Sequence, residues 1–403
     1  MSKKILPKLR FRDFTTHPKW NIANLGDLSV PVTEKVAEKR LTLMSVTSGV
    51  GLVPQVEKFG REIAGNSYKN YYAIKKYDFA YNKSATKQFP EGYISMLNDY
   101  EEAALPNSIF TCFRITDEEC CPEFFNQLFQ NNYHGTWLRK YIEVGARAHG
   151  SLSIDNKYLW GMPIALPKKA EQQKIADCLS SLDELIEAEN KKLEVLQKHK
   201  KGLMQKLFPA EGKTIPEWRF PEFRDDGEWL ENTVEHLIET VIPPKKLSSL
   251  FYENKGEFPI IDQSQEHICG WTNDKKALVS ERLPLLVFGD HTCCLKIINE
   301  PFAQGADGIK ILSVKKEVEP EFLYQYLLYS PINNKSYKRH FSELKEKKVV
   351  FPKRENGEQQ KIADCLSEID NLILAQTQRI EKLKKHKKGL MQGLFPSIEE
   401  VCK

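Results

Sequence analysis

The chain has 403 residues, which is enough for two or three domains. Hydrophobic residues make up 41% of it, so it can bury real cores, and the excess of Lys and Arg over Asp and Glu leaves a net charge of only +4. This balance excludes a uniformly basic protein but allows local basic surfaces. There is no run of about 18 apolar residues and no apolar stretch behind the first lysines, so we expect neither a membrane span nor a secretory signal.

Cysteine usage points to a reducing compartment. The nine cysteines are odd in number and form no C-x-x-C pair. We therefore expect reduced thiols in a cytoplasmic protein. The residues are Cys112, Cys120, Cys121, Cys178, Cys269, Cys293, Cys294, Cys365 and Cys402.

The first predicted segment, residues 1–167, begins with the motif RFRDF at Arg10–Phe14, which Trp20 follows. A long helix is predicted next, in residues 168–209, because apolar residues recur there at alternating steps of four and three. At ~1.5 Å per residue, the 37 residues from Glu171 to Leu207 span roughly 55 Å. Polar residues interrupt its apolar seam at Glu189 and Lys200, and the seam residues are Ile175, Leu179, Leu182, Ile186, Leu193 and Leu196.

The second half of the chain repeats this plan. Residues 210–351 form a second segment, which begins with RFPEF at Arg219–Phe223 and then Trp229. A second helix is predicted in residues 352–403, where Glu358–Pro396 aligns without a gap with Glu171–Pro209 and matches it at 27 of 39 positions. Its seam is interrupted at Gln376 and Lys387, and the seam residues are Ile362, Leu366, Ile369, Ile373, Ile380 and Leu383.

Two helices of this length, each with a single apolar stripe, are expected to pair with each other. The segment between them would have a radius of gyration of about 14–15 Å if compact. It is too small to carry the chain back along a parallel partner of ~55 Å, so the pair should be antiparallel. We therefore predict an α+β fold, in which two globular α/β domains are separated by two long antiparallel coiled-coil helices about a pseudo-two-fold axis. The C-terminus then returns to the first domain.

A pseudo-two-fold molecule with two globular ends suits a target that is itself two-fold. Duplex DNA is such a target, since DNA-binding dimers contact half-sites about one helical turn apart. One chain with two different ends would imitate a dimer whose half-sites differ in sequence.

This layout resembles the specificity subunit of type I restriction-modification enzymes over essentially the whole chain. The resemblance rests on RF-x-x-F with a following Trp in each segment and on EQQKIADCLS…KHKKGLMQ-x-LFP in each helix. Looser matches are PEGYIS at Pro90–Ser95, FPIIDQSQEHICGWT at Phe258–Thr272 and VFGDHT at Val287–Thr292.

The resemblance implies a division of labour along the chain. Residues 1–167 and 210–351 would be target recognition domains, each specific for one half of a bipartite double-stranded DNA site. Residues 168–209 and 352–403 would be conserved helical regions that set the distance between half-sites and dock two methylase subunits and the restriction subunits. The chain would be no enzyme by itself but the specificity subunit of a DNA adenine methyltransferase and type I endonuclease complex. S-adenosylmethionine, ATP and Mg²⁺ would bind to partner subunits and none to this chain.

Motifs for chemistry of the chain's own are incomplete. Gly212–Thr214 matches the end of a phosphate-binding loop, but Leu207 stands where that loop needs its first glycine. The only Pro-Pro, in Ile242–Lys246, lacks the flanking residues of a methylase tetrad. His267 and His291 each precede a cysteine by two residues, but no second ligand pair accompanies either. The alternative to DNA recognition is a two-ended coiled-coil scaffold that binds other proteins.

Two stretches carry the residue types that contact DNA. Bases are contacted by Arg, Lys, Asn and Gln, and phosphates by Lys, Arg and small hydroxyls. Such residues interleave with aromatics at Lys75–Gln88 and recur at Ile261–His267 and Gly289–Lys296. The alternative is that Tyr81 packs in a core and that His291 only satisfies a turn. The candidates are Tyr81, Asn82, Lys83, Ser84 and Lys87 in the first domain and Gln263, Ser264, His291, Thr292 and Lys296 in the second.

Overall fold

The computed structural model describes residues 4–64, 67–142, 152–306, 308–332 and 339–402. The chain divides into two units: unit 1 is Met1–Glu189 with Arg379–Lys403, and unit 2 is Asn190–Gln378. Each of the two long helices therefore contributes one part to each unit. None of the helices in the described residues combines enough length with enough apolar character to cross a membrane.

Unit 1 combines small antiparallel sheets with short helices, and the first long helix, which begins in unit 1, follows them in the chain. In chain order the elements are β1 (Lys4–Ile5), β2 (Trp20–Asn24), α1 (Leu25–Leu28), β3 (Ser29–Pro31), β4 (Met44–Thr47), β5 (Gly51–Pro54), α2 (Gln55–Phe59), β6 (Tyr72–Lys75), β7 (Phe79–Asn82), β8 (Tyr93–Met96), β9 (Glu102–Leu105), β10 (Phe110–Ile115), α3 (Pro122–Gln130), α4 (Tyr133–Leu138), α5 (Asn156–Trp160), β11 (Pro163–Leu166) and the long helix α6 (Lys169–Leu207).

Unit 2 follows a similar order. Its elements are β12 (Leu230–Thr233), α7 (Val234–Leu237), β13 (Ile238–Val241), β14 (Phe258–Ile261), β15 (Gly270–Thr272), β16 (Leu285–Gly289), β17 (Leu295–Ile298), β18 (Ala303–Gln304), β19 (Ile309–Val314), α8 (Pro320–Tyr329), α9 (Phe341–Glu346), β20 (Lys348–Phe351) and the long helix α10 (Glu358–Leu394). The last helix, α11 (Ile398–Cys402), belongs to unit 1.

Each unit contains its own four-stranded antiparallel sheet, and the two sheets have equivalent strand orders. The strand order is β3-β10-β7-β8 in unit 1 and β13-β19-β16-β17 in unit 2. In addition, β2 pairs with β11 and β12 with β20. The central strands β7 and β16 are buried along their whole length, as the aromatic and β-branched residues of FAYN and LLVFG favour. The two segments therefore have the same arrangement of strands, although their strand sequences differ.

The long helices run antiparallel within each unit. In unit 1, Asp183 pairs with Lys387 and Glu189 with Arg379, so residue numbers rise along α6 as they fall along α10. In unit 2, Lys200 pairs with Asp370, and the two helices share a core near Leu207 and Ile362. The predicted antiparallel pairing is confirmed in both units. The predicted return of the C-terminus to the first domain is seen as well, since the N–H of residue 9 donates to the carbonyl of residue 393 at 2.8 Å.

The seam residues are most deeply buried where the helices meet the globular domains. Ile175 and Leu179 lie in the core of unit 1, which also holds Trp20, while Ile362 and Leu366 lie in the core of unit 2. Ile369 and Ile380 are buried too, and six others remain partly exposed: Leu182, Ile186, Leu193, Leu196, Ile373 and Leu383. The domain cores therefore hold the helices at least as firmly as the seam does.

A buried salt bridge joins each RF-x-x-F motif to the EQQ motif of the helix that follows. The Arg10 guanidinium donates to both Glu171 carboxylate oxygens at 2.7 Å, and Arg219 makes the same pair with Glu358. All four side chains are at least nine-tenths buried. Each arginine also donates to two backbone carbonyls seven and eight residues further on, and hydrogen bonding to Glu171 raises the pKa of Arg10. We call these two pairs the motif salt bridges.

The glutamine after each motif glutamate completes the junction. Gln172 donates to the carbonyls of Pro167 and Glu119, and its own carbonyl accepts from the N–H of Cys121. Gln359 makes the equivalent three hydrogen bonds in unit 2. Buried polar groups must be hydrogen-bonded to be tolerated, so this amide fixes how the chain leaves the last strand and enters the helix.

Helices α3 and α8 contain a third repeat that sequence reasoning missed. Both begin with Pro-Glu-Phe and carry a glutamine five residues after the proline. The rings of Phe124 and Phe322 are fully buried, and they lie 5.2 Å from Phe395 and 5.5 Å from Phe208, the phenylalanines of the two LFP motifs. All the repeated motifs therefore meet at the junction between a domain and its helices.

We expect Glu171→Ala to destabilise unit 1 by about 3–5 kcal/mol, because it leaves the Arg10 guanidinium buried without its partner. The matched control is Glu38→Ala, which breaks an exposed pair with Lys69 and should cost less than about 1 kcal/mol. Urea unfolding of both variants measures the difference. Equal losses of stability in the two variants would show that the motif salt bridge does not anchor the helix.

Candidate nucleic-acid interface

The candidates of the first domain gather at the end of strand β7, but Tyr81 does not reach the surface. Its side chain is completely buried, and its hydroxyl donates to the Glu91 carbonyl at 2.8 Å. Burial raises the pKa of this phenol. The structure thus agrees with the alternative interpretation, in which Tyr81 packs in a core, and removes it from the surface candidates.

The next three candidates form a shoulder at the end of β7, in which Asn82 is buried and Lys83 and Ser84 are half-buried. The Asn82 carbonyl oxygen accepts from the N–H of Ser84 at 3.0 Å, which leaves its NH₂ group for other partners. The Lys83 ammonium donates to the side chain of Asn156 at 2.7 Å, and burial lowers the pKa of this lysine. Lys83 is therefore tied to helix α5, whereas Ser84 keeps its hydroxyl on the surface.

A cleft of about 650 Å³ with both polar and apolar walls lies beside this shoulder. Lys87 is exposed on its rim, and Ser84 lies in its wall. The opposite wall is the hairpin β4–β5, which contributes Ser45 and Thr47, and the Thr47 hydroxyl has no hydrogen-bond partner among the described residues. Sequence reasoning missed this hairpin. The two glycines of TSGVG are the sequence signal that could have indicated its turn, because hairpin turns need residues that adopt positive φ. Both glycines do adopt positive φ here.

The ammonium of Lys58 supports the cleft from behind. It donates to the Ser45 hydroxyl at 3.3 Å and to the Val46 carbonyl at 3.2 Å. Burial lowers the pKa of Lys58. The cleft thus presents hydroxyl and amide groups together with two lysines.

In the second domain, the structure brings the two candidate stretches together. The Thr292 hydroxyl donates to the Gln263 carbonyl at 2.8 Å, so the turn after β16 contacts the loop after β14. Ser264 and His291 are partly exposed beside them. Burial alone would raise the pKa of Asp262, but hydrogen bonds from Ser264 lower it, so this loop holds a carboxylate at its base.

Lys296 is a structural residue. Its side chain is 4% exposed, and its ammonium donates to the carbonyls of Asp262 and Glu266. Because those bonds use the ammonium inside the loop, the structure places Lys296 as the support of the loop and not on its surface. Asp290 is likewise buried, and it accepts from the N–H of Phe341 at 2.9 Å.

The Gln263 side chain rests on a glycine that sequence reasoning also missed. Gly308 has a φ of 100°, and a Cβ at this position would lie 2.6 Å from Gln263 Nε2. The side-chain oxygen of Gln263, Oε1, is buried and has no hydrogen-bond partner within the described residues. Gly308 therefore gives the side-chain amide of Gln263 its position.

In each unit, candidates lie at the end of the corresponding strand of its four-stranded sheet. Strand β7 ends at Asn82, and its counterpart β16 ends at Gly289, directly before His291 and Thr292. The loops that follow differ in sequence between the units, although the strands correspond. This end of the sheet therefore presents a different set of polar groups in each unit.

The described residues show no arrangement for metal chemistry. No three His, Cys, Asp or Glu side chains among them are placed to hold a metal ion. The nine cysteines are unpaired, and Cys269, which follows His267 by two residues, donates its thiol to the Ile260 carbonyl. Burial raises the pKa of the Cys269 thiol to about 12.

Comparison with known proteins identifies related sequences. The model of the type I restriction modification DNA specificity domain matches residues 57–198 and again residues 237–385. A protein of Methanocaldococcus jannaschii named as the MjaX specificity subunit of a type I restriction enzyme is 31% identical over 277 residues, which are 64% of this chain and 63% of that protein. The MjaVIII specificity subunit of the same organism is 27% identical over 290 residues, covering 63% of this chain and 66% of that protein. These matches thus span just under two thirds of each relative.

Two solved structures share the fold. The type I restriction-modification S subunit from M. genitalium has a TM-score of 0.67 at 17% identity, covering 98% of this chain and all of that one. A chain from a structural study of type I R-M complex assembly and conformational transition has a TM-score of 0.50 at 15% identity and covers 92% of this chain and 96% of that one. Because the two family matches cover well over half of the sequence, the chain belongs to the type I restriction-modification DNA specificity family and carries two of its specificity domains.

Proposed function

We propose that this chain is the non-catalytic DNA-recognition subunit of a type I restriction-modification complex, in which each domain recognises one half of a bipartite duplex site. One observation carries the proposal: two specificity domains stand on one chain and have the same anchoring motifs, while the loops at the end of their equivalent sheets differ. The recognition domains are residues 1–167 and 210–351. Residues 168–209 and 352–403 are the helical regions between and after them.

The chemistry of the loops suits duplex DNA. A glutamine amide can bind the N6 and N7 edge of adenine with two hydrogen bonds, and the partly exposed Gln263 has a position that Gly308 supports. Lysine and hydroxyl side chains contact phosphates, as Lys87 and the residues of the first cleft would do. Ser84, Ser264, His291 and Thr292 remain candidates at the rims of the two sites, and Asn82 and Lys83 contribute through their remaining donors.

The position of Gln263 can be tested without altering that residue. Gly308→Ala places a Cβ against the amide and must displace it, so it should weaken recognition of one base pair by about 1–3 kcal/mol, as Gln263→Ala should. Gly212→Ala is the matched control, because Gly212 also has a positive φ but has no atom within 4 Å of the added Cβ. Binding to duplexes altered in one half-site at a time measures the effect. A loss in both half-sites, or in neither, contradicts this assignment.

The antiparallel helices would set the distance between the half-sites. Insertion of seven residues after Leu193 and after Ile380 preserves the heptad phase and lengthens each helix by about 10.5 Å. This equals about three base pairs of duplex. We expect both half-sites to be retained and the spacer to grow by that amount. Mapping of methylated adenines in a host that expresses the variant with its methylase measures it, and an unchanged spacer contradicts the proposal.

The helices also offer two equivalent surfaces for a partner. Gly202 and Gly389 lie inside α6 and α10, where a glycine costs about 1 kcal/mol relative to alanine. A Cβ at either position would meet nothing within 4 Å among the described residues, so packing within the chain does not require them. The neighbouring Lys201 and Lys388 are exposed. Close approach of another protein accounts for both glycines.

Two equivalent surfaces imply two copies of one partner. We expect one copy of this chain to assemble with two methylase subunits, and restriction subunits to join that complex. S-adenosylmethionine, ATP and Mg²⁺ would be bound by those partners in the cytoplasm, and the chain alone should modify no DNA. Native mass spectrometry of the co-expressed proteins measures the stoichiometry. A complex with a single methylase, or methylation by the isolated chain, contradicts the expectation, and assembly without any DNA binding would favour the scaffold alternative.

A further inference from the structure

Three side chains from three different elements meet in unit 1. The Lys387 ammonium of α10 contacts both carboxylate oxygens of Asp183 on α6, at 2.5 and 2.6 Å. The Gln127 amide of α3 donates to the same carboxylate at 3.1 Å and to the Ser180 hydroxyl at 3.3 Å. One carboxylate therefore connects the recognition domain to both long helices.

The same three residue types meet in unit 2. The Lys200 ammonium, now on α6, contacts both carboxylate oxygens of Asp370 on α10 at 2.7 Å. The Gln325 amide of α8 donates to that carboxylate at 2.7 Å. We call the two sets the Gln–Asp–Lys triads. Each triad takes its lysine from one long helix and its aspartate from the other, so the roles of the helices are exchanged between the units.

The triads occupy positions where apolar residues would pack more simply. Lys200 and Lys387 interrupt the apolar seam, and each side chain is only 12% exposed. Gln127 and Gln325 are 2% and 1% exposed, and the carbonyl oxygen of each has no hydrogen-bond partner in the described parts of the chain. A well-packed apolar residue in place of a buried ionic group is often neutral or stabilising. Gain in stability is therefore a poor explanation for the triads.

An apolar heptad seam leaves the alignment of two helices underdetermined. Leucine and isoleucine side chains that repeat every heptad pack against one another in more than one register, whereas a buried polar residue tolerates only the register that gives it a partner. Displacement of α6 along α10 would leave the lysine ammonium groups against apolar side chains and separate them from their aspartates. A recognition-domain glutamine binds the same aspartate. The displacement would therefore also separate the helix that carries this aspartate from the recognition domain.

We propose that the Gln–Asp–Lys triads are positioning devices, which hold each recognition domain and the two helices in one register so that only one spacer length between half-sites is accepted. The inference rests on the proposed function, since it concerns how that function selects its sites. The triad residues touch no DNA in this scheme and act through the helices.

The test replaces both seam lysines at once. Lys200→Met with Lys387→Met makes the seam apolar, while Asp370 and Asp183, which are 38% and 41% exposed, can remain hydrated. The matched control is Lys192→Met with Lys382→Met, which also changes one lysine on each helix, both of them exposed. Each variant is co-expressed with the methylase, and methylated adenines are mapped across the host genome. Thermal unfolding of the purified complexes is measured in parallel.

We expect the double variant to unfold at an unchanged or higher temperature and yet to accept additional spacers. The fraction of methylated sites with any other spacer should rise by about tenfold, which corresponds to about 1.4 kcal/mol of register preference. The control and the arginine pair Lys200→Arg with Lys387→Arg, which keeps both charges, should retain a single spacer. If the double variant does not fold, Lys387→Met alone should show a smaller rise.

A single spacer in the variant Lys200→Met with Lys387→Met, and in Lys387→Met alone, would overturn the positioning role, whatever the stability of these variants. Failure of the unaltered chain to direct methylation of any bipartite site would instead reject the proposed function. The two failures are therefore distinguished within one experiment.

Discussion

The buried pairing of one arginine with one glutamate at each domain–helix junction is the constraint on which the rest of the structure depends. Arg10 belongs to the start of its domain and Glu171 to the first turn of the following helix, so their contact closes a loop of the whole domain. Arg219 and Glu358 close the second domain in the same way. A buried ion pair adds little net stability, but breaking one is costly. The pair therefore selects one mode of attachment among many apolar contacts of similar energy.

The junction explains why the same ten residues occur twice. In EQQKIADCLS, the glutamate holds the arginine, and the first glutamine binds the carbonyl of the proline that follows the preceding strand. The isoleucine and leucine enter the domain core. Three residues beyond the motif, Asp183 and Asp370 bind the lysine of the opposite helix. Each part of the sequence thus has a partner that is itself repeated. Two copies of one junction need two copies of one sequence.

The sequence predicted the helices because a heptad repeat is visible in the chain, and their pairing because the segment between them is too small to span a parallel pair. It left the burial of Tyr81 open, since an aromatic residue directly before a polar stretch fits a strand end and a surface loop equally well. The support role of Lys296 was also hidden, because its acceptors, the carbonyls of Asp262 and Glu266, are remote in sequence. The contribution of Thr47 depends on how one hairpin packs beside β7, which local patterns do not encode.

Anchoring and recognition use different parts of each domain. The repeated residues contact the long helices, whereas the residues that differ follow strands β7 and β16. Substitutions at separated sites without shared partners have nearly additive effects. A change at Gln263 should therefore leave the pairing of Arg219 with Glu358 unaffected, and a change at Ser84 should leave that of Arg10 with Glu171 unaffected. The physical separation of the two sets allows one invariant junction to carry two surfaces of different chemistry.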